Sequence, residues 1–179
     1  MPALSRRLRE WAGQNGWTVE KYRAYGEYAG YTFTAYEGQG FKAFALPAPD
    51  WGEAGRAELA SFLKSKRGEL KLREFEVNEH SVIIKIQEAF RHATPAEIEK
   101  ALQALTAYLA DRGISGRRCF FCARADPDAR AAIGDFVTWV HDGCLEQAAA
   151  DTERARREYA MEPKNYPPGA LGALLGGMV

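Results

Sequence analysis

The sequence predicts an α+β fold in which helices cover an antiparallel sheet, followed by a small metal-binding module. Stretches with an apolar residue every three or four positions alternate with stretches of period two, in the order helix, three strands, helix, two strands, helix. Hydrophobic residues make up 46% and aromatic residues 12% of the 179 residues, which is enough for a packed core. All three cysteines then gather between Cys119 and Cys144.

The composition restricts the class of protein. Lys and Arg together number 24, as do Asp and Glu, so no overall field favours nucleic acid or an anionic membrane. An odd number of cysteines does not suit a secreted disulfide framework, whereas one Cys3His site uses all three. Residues 1–10 contain no apolar segment of the length that a signal peptide needs. We therefore expect a cytoplasmic protein with reduced cysteines.

Residues 1–113 are predicted to form the α+β domain. Its first helix has one apolar stripe, formed by Leu4, Leu8, Trp11 and Ala12. Glycines then separate three stretches of alternating character, which predicts a three-stranded meander. The predicted strands of this meander are Ala24–Tyr28, Tyr31–Glu37 and Phe41–Leu46.

A second helix, a hairpin and a third helix complete this predicted domain. Asp50 and Glu53 have the spacing of a capping box, and the helix they begin buries Leu59, Phe62 and Leu63. The hairpin has strands at Leu72–Val77 and around Val82, Ile84 and Ile86, with a polar turn between them. Thr94-Pro95-Ala96-Glu97 combines an N-cap, a first-turn proline and a capping-box glutamate, which predicts a helix ending at Gly113.

The order of these elements over residues 3–112 resembles that of the type III secretion chaperone-like α+β fold. The resemblance rests on element order, with helices on one face of an antiparallel sheet. It implies a scaffold for binding or dimerisation.

Residues 114–162 are predicted to form a zinc module. The pattern Cys119-x2-Cys122, eighteen residues, His141-x2-Cys144 has the ligand types and spacing of a four-ligand zinc site. A strand at Phe136–Val140 would deliver His141, and a helix over Leu145–Glu162 follows the last ligand. Because four protein ligands close a tetrahedron, we expect one structural Zn²⁺ ion.

A knuckle, a hairpin and a helix that begins at the second ligand pair resemble a treble clef. The ligand spacing is similar to that of the first half of a LIM domain, although no cysteine follows Cys144 to form a second half. The partner specificity of LIM domains is therefore not carried over. Two alternatives remain open: a redox role for Cys119 and Cys122, which form Cys-x-x-Cys, or ordinary core thiols.

Residues 163–179 differ in character from the rest. Ten uncharged residues run from Ala170 to Val179, with Gly172 and Gly176 at the small-xxx-small spacing of packed membrane helices. We expect a truncated transmembrane helix that begins near Ala170, or alternatively an apolar tail. Basic residues before it would keep the preceding domains in the cytoplasm: Arg154, Arg156, Arg157 and Lys164.

No catalytic constellation is evident, since the chain has neither a phosphate-binding glycine loop nor a nucleophile elbow, and His80 and His92 have no evident partner. We expect a non-enzymatic zinc protein, anchored to the membrane, that acts in protein interaction or sensing. The alternatives are a soluble chaperone-like or nucleic-acid-binding module and a hydrolase with an unrecognised site. We expect an unidentified protein partner, with a homodimer as a further option.

Nucleic acid is not an expected partner, because acidic residues dilute the arginines near the cysteines. The arginines are Arg117, Arg118, Arg124 and Arg130, and the acidic residues are Asp126, Asp128 and Asp135.

Overall fold

The protein has an α+β fold, as the sequence predicts. The computed structural model describes residues 2–47, 52–79, 81–87, 93–133 and 136–161. The elements in chain order are α1 (Arg6–Gln14), β1 (Thr18–Val19), β2 (Ala24–Tyr28), β3 (Tyr31–Gly38), β4 (Phe41–Pro47), α2 (Gly52–Lys66), β5 (Leu72–Val77), β6 (Ser81–Gln87), α3 (Pro95–Asp111), β7 (Ala129–Ile133), β8 (Phe136–Val140) and α4 (Asp142–Met161).

The chain divides into two compact units, Met1–His141 and Asp142–Val179. The described part of the second unit is the helix α4. This helix begins at Asp142, three residues before the predicted start at Leu145. The sequence predicts separate domains at residues 1–113 and 114–162. Whether these two parts fold independently stays a prediction.

Strands β1 to β6 form one antiparallel sheet in the order β1-β2-β3-β4-β6-β5. The turn between β2 and β3 consists of Ala29 and Gly30, with φ values of 49° and 82°. Two positive φ values are what a type I′ turn requires, and its twist matches that of the strands it joins. The two-residue edge strand β1 is not among the predicted elements, and it pairs with the start of β2.

Helices α1, α2 and α3 contribute to the main core together with alternate residues of the sheet. Aromatic rings fill the centre of this core. The Trp11 and Trp17 ring centroids lie 5.0 Å apart, and the Phe44 ring lies 5.7 Å from Trp11, edge on. Helix α3 begins with the predicted capping box, in which Thr94 Oγ1 accepts from Glu97 N–H and the Glu97 carboxylate accepts from Thr94 N–H. Asp50 of the other predicted box lies outside the described residues.

A buried ion pair lies where the start of α1 meets the sheet. Lys42 Nζ is 2.5 Å from Glu37 Oε1, and the two residues are only 0% and 8% exposed. The same carboxylate accepts hydrogen bonds from Ser5 N–H and Ser5 Oγ, both at 2.6 Å. Ser5 is also the N-cap of α1, so this network attaches the first helix to β3 and β4.

The hairpin of β7 and β8 packs on β3 and β4 through strand β8. At this contact Thr34, Ala43 and Ala45 are fully buried, and all three alternate with the residues that face the helices. Val137 N–H donates to Thr34 Oγ1 at 2.9 Å in this buried layer. The small side chains of this sheet face allow the hairpin to approach closely. Both faces of the central strands are therefore covered.

Within the described residues, no helix is long and apolar enough to cross a membrane. The segment from Ala170 to Val179, which is predicted to begin a membrane anchor, lies outside those residues.

Candidate metal centre

The segment that follows α3 is pressed against the β2–β3 turn where it approaches the first cysteine. A Cβ atom on Gly116 would clash with the carbonyl oxygen of Gly30, so only glycine fits there. Next to this contact, Tyr31 Oη donates to the carbonyl oxygen of Ile114 at 2.6 Å. These contacts fix the point at which the chain enters the candidate site.

Cys119 to Arg124 form a tight turn, here called the knuckle. Cys119 N–H donates to the Arg124 carbonyl at 3.0 Å, and Ala123 N–H donates to the Cys119 carbonyl at 2.9 Å. Ala123 adopts a φ of 57°, which costs a non-glycine residue about 1–3 kcal/mol. The paired hydrogen bonds hold that conformation, so the two cysteines stay on one short loop.

Strand β8 brings His141 to the knuckle. Phe120 N–H donates to the carbonyl oxygen of Trp139 at 2.9 Å, which attaches the knuckle to β8 two residues before the histidine. The guanidinium carbons of Arg117 and Arg130 lie 4.6 and 4.8 Å from the centroid of the Trp139 ring. Arg130 also pairs with Glu27 of β2 at 3.1 Å. The strand end that carries His141 is thus held from several sides.

The structure brings together the four residues that the spacing predicts as ligands. Cys119 Sγ, Cys122 Sγ, one ring nitrogen of His141 and Cys144 Sγ all lie within 4.8 Å of one another. Ligand atoms around a tetrahedral zinc ion, with bonds of about 2.0–2.3 Å, lie about 3.3–3.8 Å apart. The Cys122 Sγ to His141 Nδ1 distance is 3.4 Å. This cluster, here called the Cys3His cluster, can therefore hold a metal ion.

The hydrogen bonds of His141 identify the nitrogen that faces the cluster. Its Nε2 lies 3.2 Å from the carbonyl oxygen of Ala125, which can only accept, so Nε2 carries the proton. Nδ1 is then the free nitrogen, and it points to Cys122 Sγ. A second hydrogen bond that fixes the tautomer of a ligating histidine is a regular feature of metal sites.

The surroundings of both knuckle sulfurs favour the thiolate. Hydrogen bonds from the Arg124 side chain and backbone lower the pKa of Cys122 to about 6, and its Sγ lies 3.5 Å from Arg124 Nε. Burial raises the pKa of Cys119, but backbone N–H groups, among them that of His141, outweigh the burial and bring it below its ordinary value. Since metals bind thiolates, both shifts prepare the sulfurs for a cation.

The thiolate sulfurs of Cys122 and Cys119 also act on His141. Hydrogen bonding to the Cys122 sulfur, then to the Cys119 sulfur, raises the pKa of His141 above its ordinary value. In the metal-free protein the imidazole therefore binds a proton more readily, on the nitrogen that a cation would otherwise take.

Sequence reasoning misses the two residues that support the ligands from outside. From the sequence we consider Arg124 only as a contact for nucleic acid, and we do not predict that the Arg124 side chain donates to the Cys122 sulfur two residues before it. The carbonyl of Ala125 carries no sequence signal, because any residue has one. His80 and His92, for which the sequence shows no partner, lie outside the described residues.

Comparison with protein-family models, with curated proteins and with solved structures finds no match for this chain. The likeness to a treble clef and to the chaperone-like fold stays a prediction, and the function has to be argued from the Cys3His cluster.

Proposed function

We propose that the Cys3His cluster binds one structural Zn²⁺ ion and that the protein is a non-enzymatic interaction module stabilised by this metal. The observation that carries the proposal is the convergence of the four ligand atoms within 4.8 Å, with His141 held by Ala125 in the tautomer that ligation needs. Three thiolates and an imidazole suit zinc better than a hard cation such as Mg²⁺ or Ca²⁺, which prefers oxygen.

A structural role is favoured over a catalytic one because of the ligand count. A catalytic zinc ion has three protein ligands and an open position for water, whereas Cys119, Cys122, His141 and Cys144 supply four. Bound zinc would join the knuckle to the segment from His141 to Cys144, and eighteen residues separate the two ligand pairs in the sequence. Zinc binding of this kind contributes directly to folding.

The metal content of purified protein tests the zinc proposal. We expect one zinc ion per chain by elemental analysis of protein purified without chelator, and a loss of zinc in Cys119→Ser and His141→Ala. Phe121→Ala is the matched control, since Phe121 lies between two ligands on the knuckle and provides none itself. Zinc well below one ion per wild-type chain, or full retention in both ligand variants, contradicts the proposal.

We place the interaction surface at the knuckle. Phe121 is 40% exposed there, and it packs edge on against Phe120 at a centroid distance of 5.5 Å. The arginines 118 and 124 flank it in the sequence. An exposed aromatic residue with an arginine on either side of it in the sequence has the composition of a protein-binding hot spot. Crosslinking in the native cells should capture proteins with the wild type that it does not capture with Phe121→Ala, while the zinc content of the two is the same. If both capture the same proteins equally, the interaction surface does not lie at Phe121.

The proposed location is the cytoplasmic side of a membrane, with an anchor that begins near Ala170. Membrane fractionation of the complete gene product separates this proposal from the soluble alternative. An integral membrane protein resists alkaline carbonate extraction, whereas recovery in the soluble fraction contradicts the anchor.

A further inference from the structure

The two knuckle cysteines differ in their access to solvent. Cys119 is fully buried, whereas Cys122 is half-buried, and their sulfurs lie within 4.8 Å of each other. Both belong to the turn that is closed by the Ala123 to Cys119 and Cys119 to Arg124 backbone hydrogen bonds. Of the two knuckle sulfurs, that of Cys122 is therefore the one that a small solute reaches first, and the Cys119 sulfur lies close to it. Cys144 is half-buried like Cys122.

The hydrogen bonds to the two sulfurs add to this difference. Cys119 Sγ accepts from the backbone N–H of His141 at 3.3 Å, inside the protein. Cys122 Sγ lies 3.5 Å from Nε of Arg124, in a contact that is open to solvent. A guanidinium at this place can stabilise the anionic oxygen that leaves when a peroxide bond breaks.

We infer that Cys122 is a modification site for small hydroperoxides, that Cys119 resolves the oxidised sulfur, and that the resulting disulfide releases the metal. This inference rests on the proposed zinc site, and it makes the Cys3His cluster a peroxide-responsive element in addition to a structural one. The arrangement of an accessible sulfur beside a resolving cysteine is what redox-sensing sites require.

The chemistry proceeds in two steps. The Cys122 thiolate attacks the terminal oxygen of the hydroperoxide, an S–O bond forms, the O–O bond breaks, and the alkoxide leaves and takes a proton to become the alcohol. Cys122 is then a sulfenic acid. The Cys119 thiolate attacks Cys122 Sγ, the S–S bond forms, the S–O bond breaks, and hydroxide leaves and is protonated to water. Two thiolates, one hydroperoxide and two protons thus give one disulfide, one alcohol and one water.

The disulfide removes half of the ligand set. Disulfide sulfurs have lost the negative charge with which a thiolate binds zinc. Only His141 and Cys144 remain as ligands, and two ligands do not hold a structural zinc ion against water. Each disulfide formed therefore releases one zinc ion, and a thiol reductant with added zinc restores the original state.

Cys119 is the resolving cysteine because it shares the closed knuckle turn with Cys122. Cys144 also contributes a sulfur to the cluster, so it is the competitor that an experiment has to separate. If Cys119 resolves, Cys144→Ser still forms the disulfide. In Cys119→Ser, Cys122 is left as a sulfenic acid that dimedone traps.

The test treats the zinc-loaded 179-residue protein with hydrogen peroxide and follows zinc release with a chromogenic chelator and the intact mass by mass spectrometry. We expect one zinc ion released for each chain that loses the mass of two hydrogen atoms, with a Cys119–Cys122 disulfide in the peptide map. Cys122→Ser should abolish the mass change. With release expressed as a fraction of each variant's own initial zinc content, Arg124→Gln should slow release by peroxide several-fold, whereas a purely structural role of Arg124 predicts faster release.

The outcomes separate this inference from the zinc proposal. Protein that contains zinc but keeps it, with all thiols unmodified in excess peroxide, overturns the peroxide-responsive role alone. A disulfide mapped to Cys144 overturns the assignment of Cys119. Protein purified without zinc overturns the zinc proposal, and the mass change of that metal-free protein still decides whether the Cys119–Cys122 pair is oxidised by peroxide.

Discussion

Lys42→Met should destabilise the protein severely, because it removes one partner of a buried ion pair and leaves the other. Lys42 is 0% exposed and Glu37 only 8%, so the carboxylate would keep Ser5 as a hydrogen-bond donor but lose the cation beside it. Breaking a buried ion pair in this way costs about 3–5 kcal/mol. With a urea m-value of about 2 kcal/mol per M, the unfolding midpoint should fall by about 1.5–2.5 M.

The assay is urea unfolding followed by far-ultraviolet circular dichroism, at a fixed excess of zinc for every variant. Lys66→Met is the matched control, because Lys66 pairs with Glu69 at the surface, where an ion pair contributes about 0–1 kcal/mol. In the double variant Lys42→Met, Glu37→Gln the glutamine can still accept from Ser5 without a buried charge. Its loss should therefore be about 1–3 kcal/mol, less than that of Lys42→Met alone. A midpoint shift for Lys42→Met no larger than that for Lys66→Met refutes the reasoning.

Three further predictions concern the hairpin, the turn and the cysteines. Thr34→Val should lower the free energy of unfolding by about 1–3 kcal/mol, because the buried N–H of Val137 loses its acceptor. Thr34→Ser keeps the hydroxyl and should unfold close to wild type. Equal urea midpoints for the two variants would contradict this prediction. Ala29→Asn should raise the free energy of unfolding by about 0.5–1 kcal/mol, since asparagine tolerates the positive φ of a type I′ turn better than alanine; an unchanged urea midpoint would show that the turn is not strained. In the metal-free protein, ultraviolet absorbance should report a Cys122 thiolate with a pKa of about 6, and Arg124→Gln should raise that pKa. An unchanged pKa in Arg124→Gln would show that the arginine does not cause the lowered pKa of Cys122.

Because the pKa of Cys122 is lowered in the folded state, the free energy of unfolding of the metal-free protein should depend on pH. The folded metal-free protein binds fewer protons at this sulfur than the unfolded chain does, because the pKa falls from its ordinary value of 9.0 to about 6. The stabilisation from the thiolate is therefore complete above pH 9 and is lost as the pH falls through about 6. His141, whose pKa is raised, contributes in the opposite direction.

The helices and most of the strands follow from local sequence patterns. Thr94 and Glu97 act through a capping box that is complete within four residues, so no distant contact is needed to recognise it. Strand β1 has only two residues, Thr18 and Val19, and a two-residue strand has no period to detect. It exists because the start of β2 offers it a partner, which is information from the tertiary structure.

The buried ion pair is absent from the sequence-based expectations although the sequence contains a signal for it. Glu37 continues the alternation of Phe33 and Ala35 on the core side of β3, and Lys42 continues that of Phe44 on β4. Two opposite charges at core-facing positions of neighbouring strands predict a buried pair, and the register indeed places Glu37 opposite Lys42.

The residues of the candidate site can be predicted from the sequence, but their support cannot. Ligand spacing is local chemistry, and it is sufficient to identify Cys119, Cys122, His141 and Cys144, which the fold then brings together. The hairpin packs on Thr34 because the helices occupy the opposite face of the sheet. Which face the helices occupy is determined by tertiary contacts. In the sequence, the small residues Thr34, Ala43 and Ala45 on the sheet face away from the helices indicate that another layer covers this face.

X-ray absorption at the zinc K-edge of the purified 179-residue protein tests the central claim most directly. The metal is expected to have three sulfur neighbours at about 2.3 Å and one nitrogen neighbour at about 2.0–2.1 Å, the set that Cys119, Cys122, Cys144 and His141 supply. Protein without a zinc edge, or zinc surrounded by oxygen and nitrogen with no sulfur shell, would contradict the account.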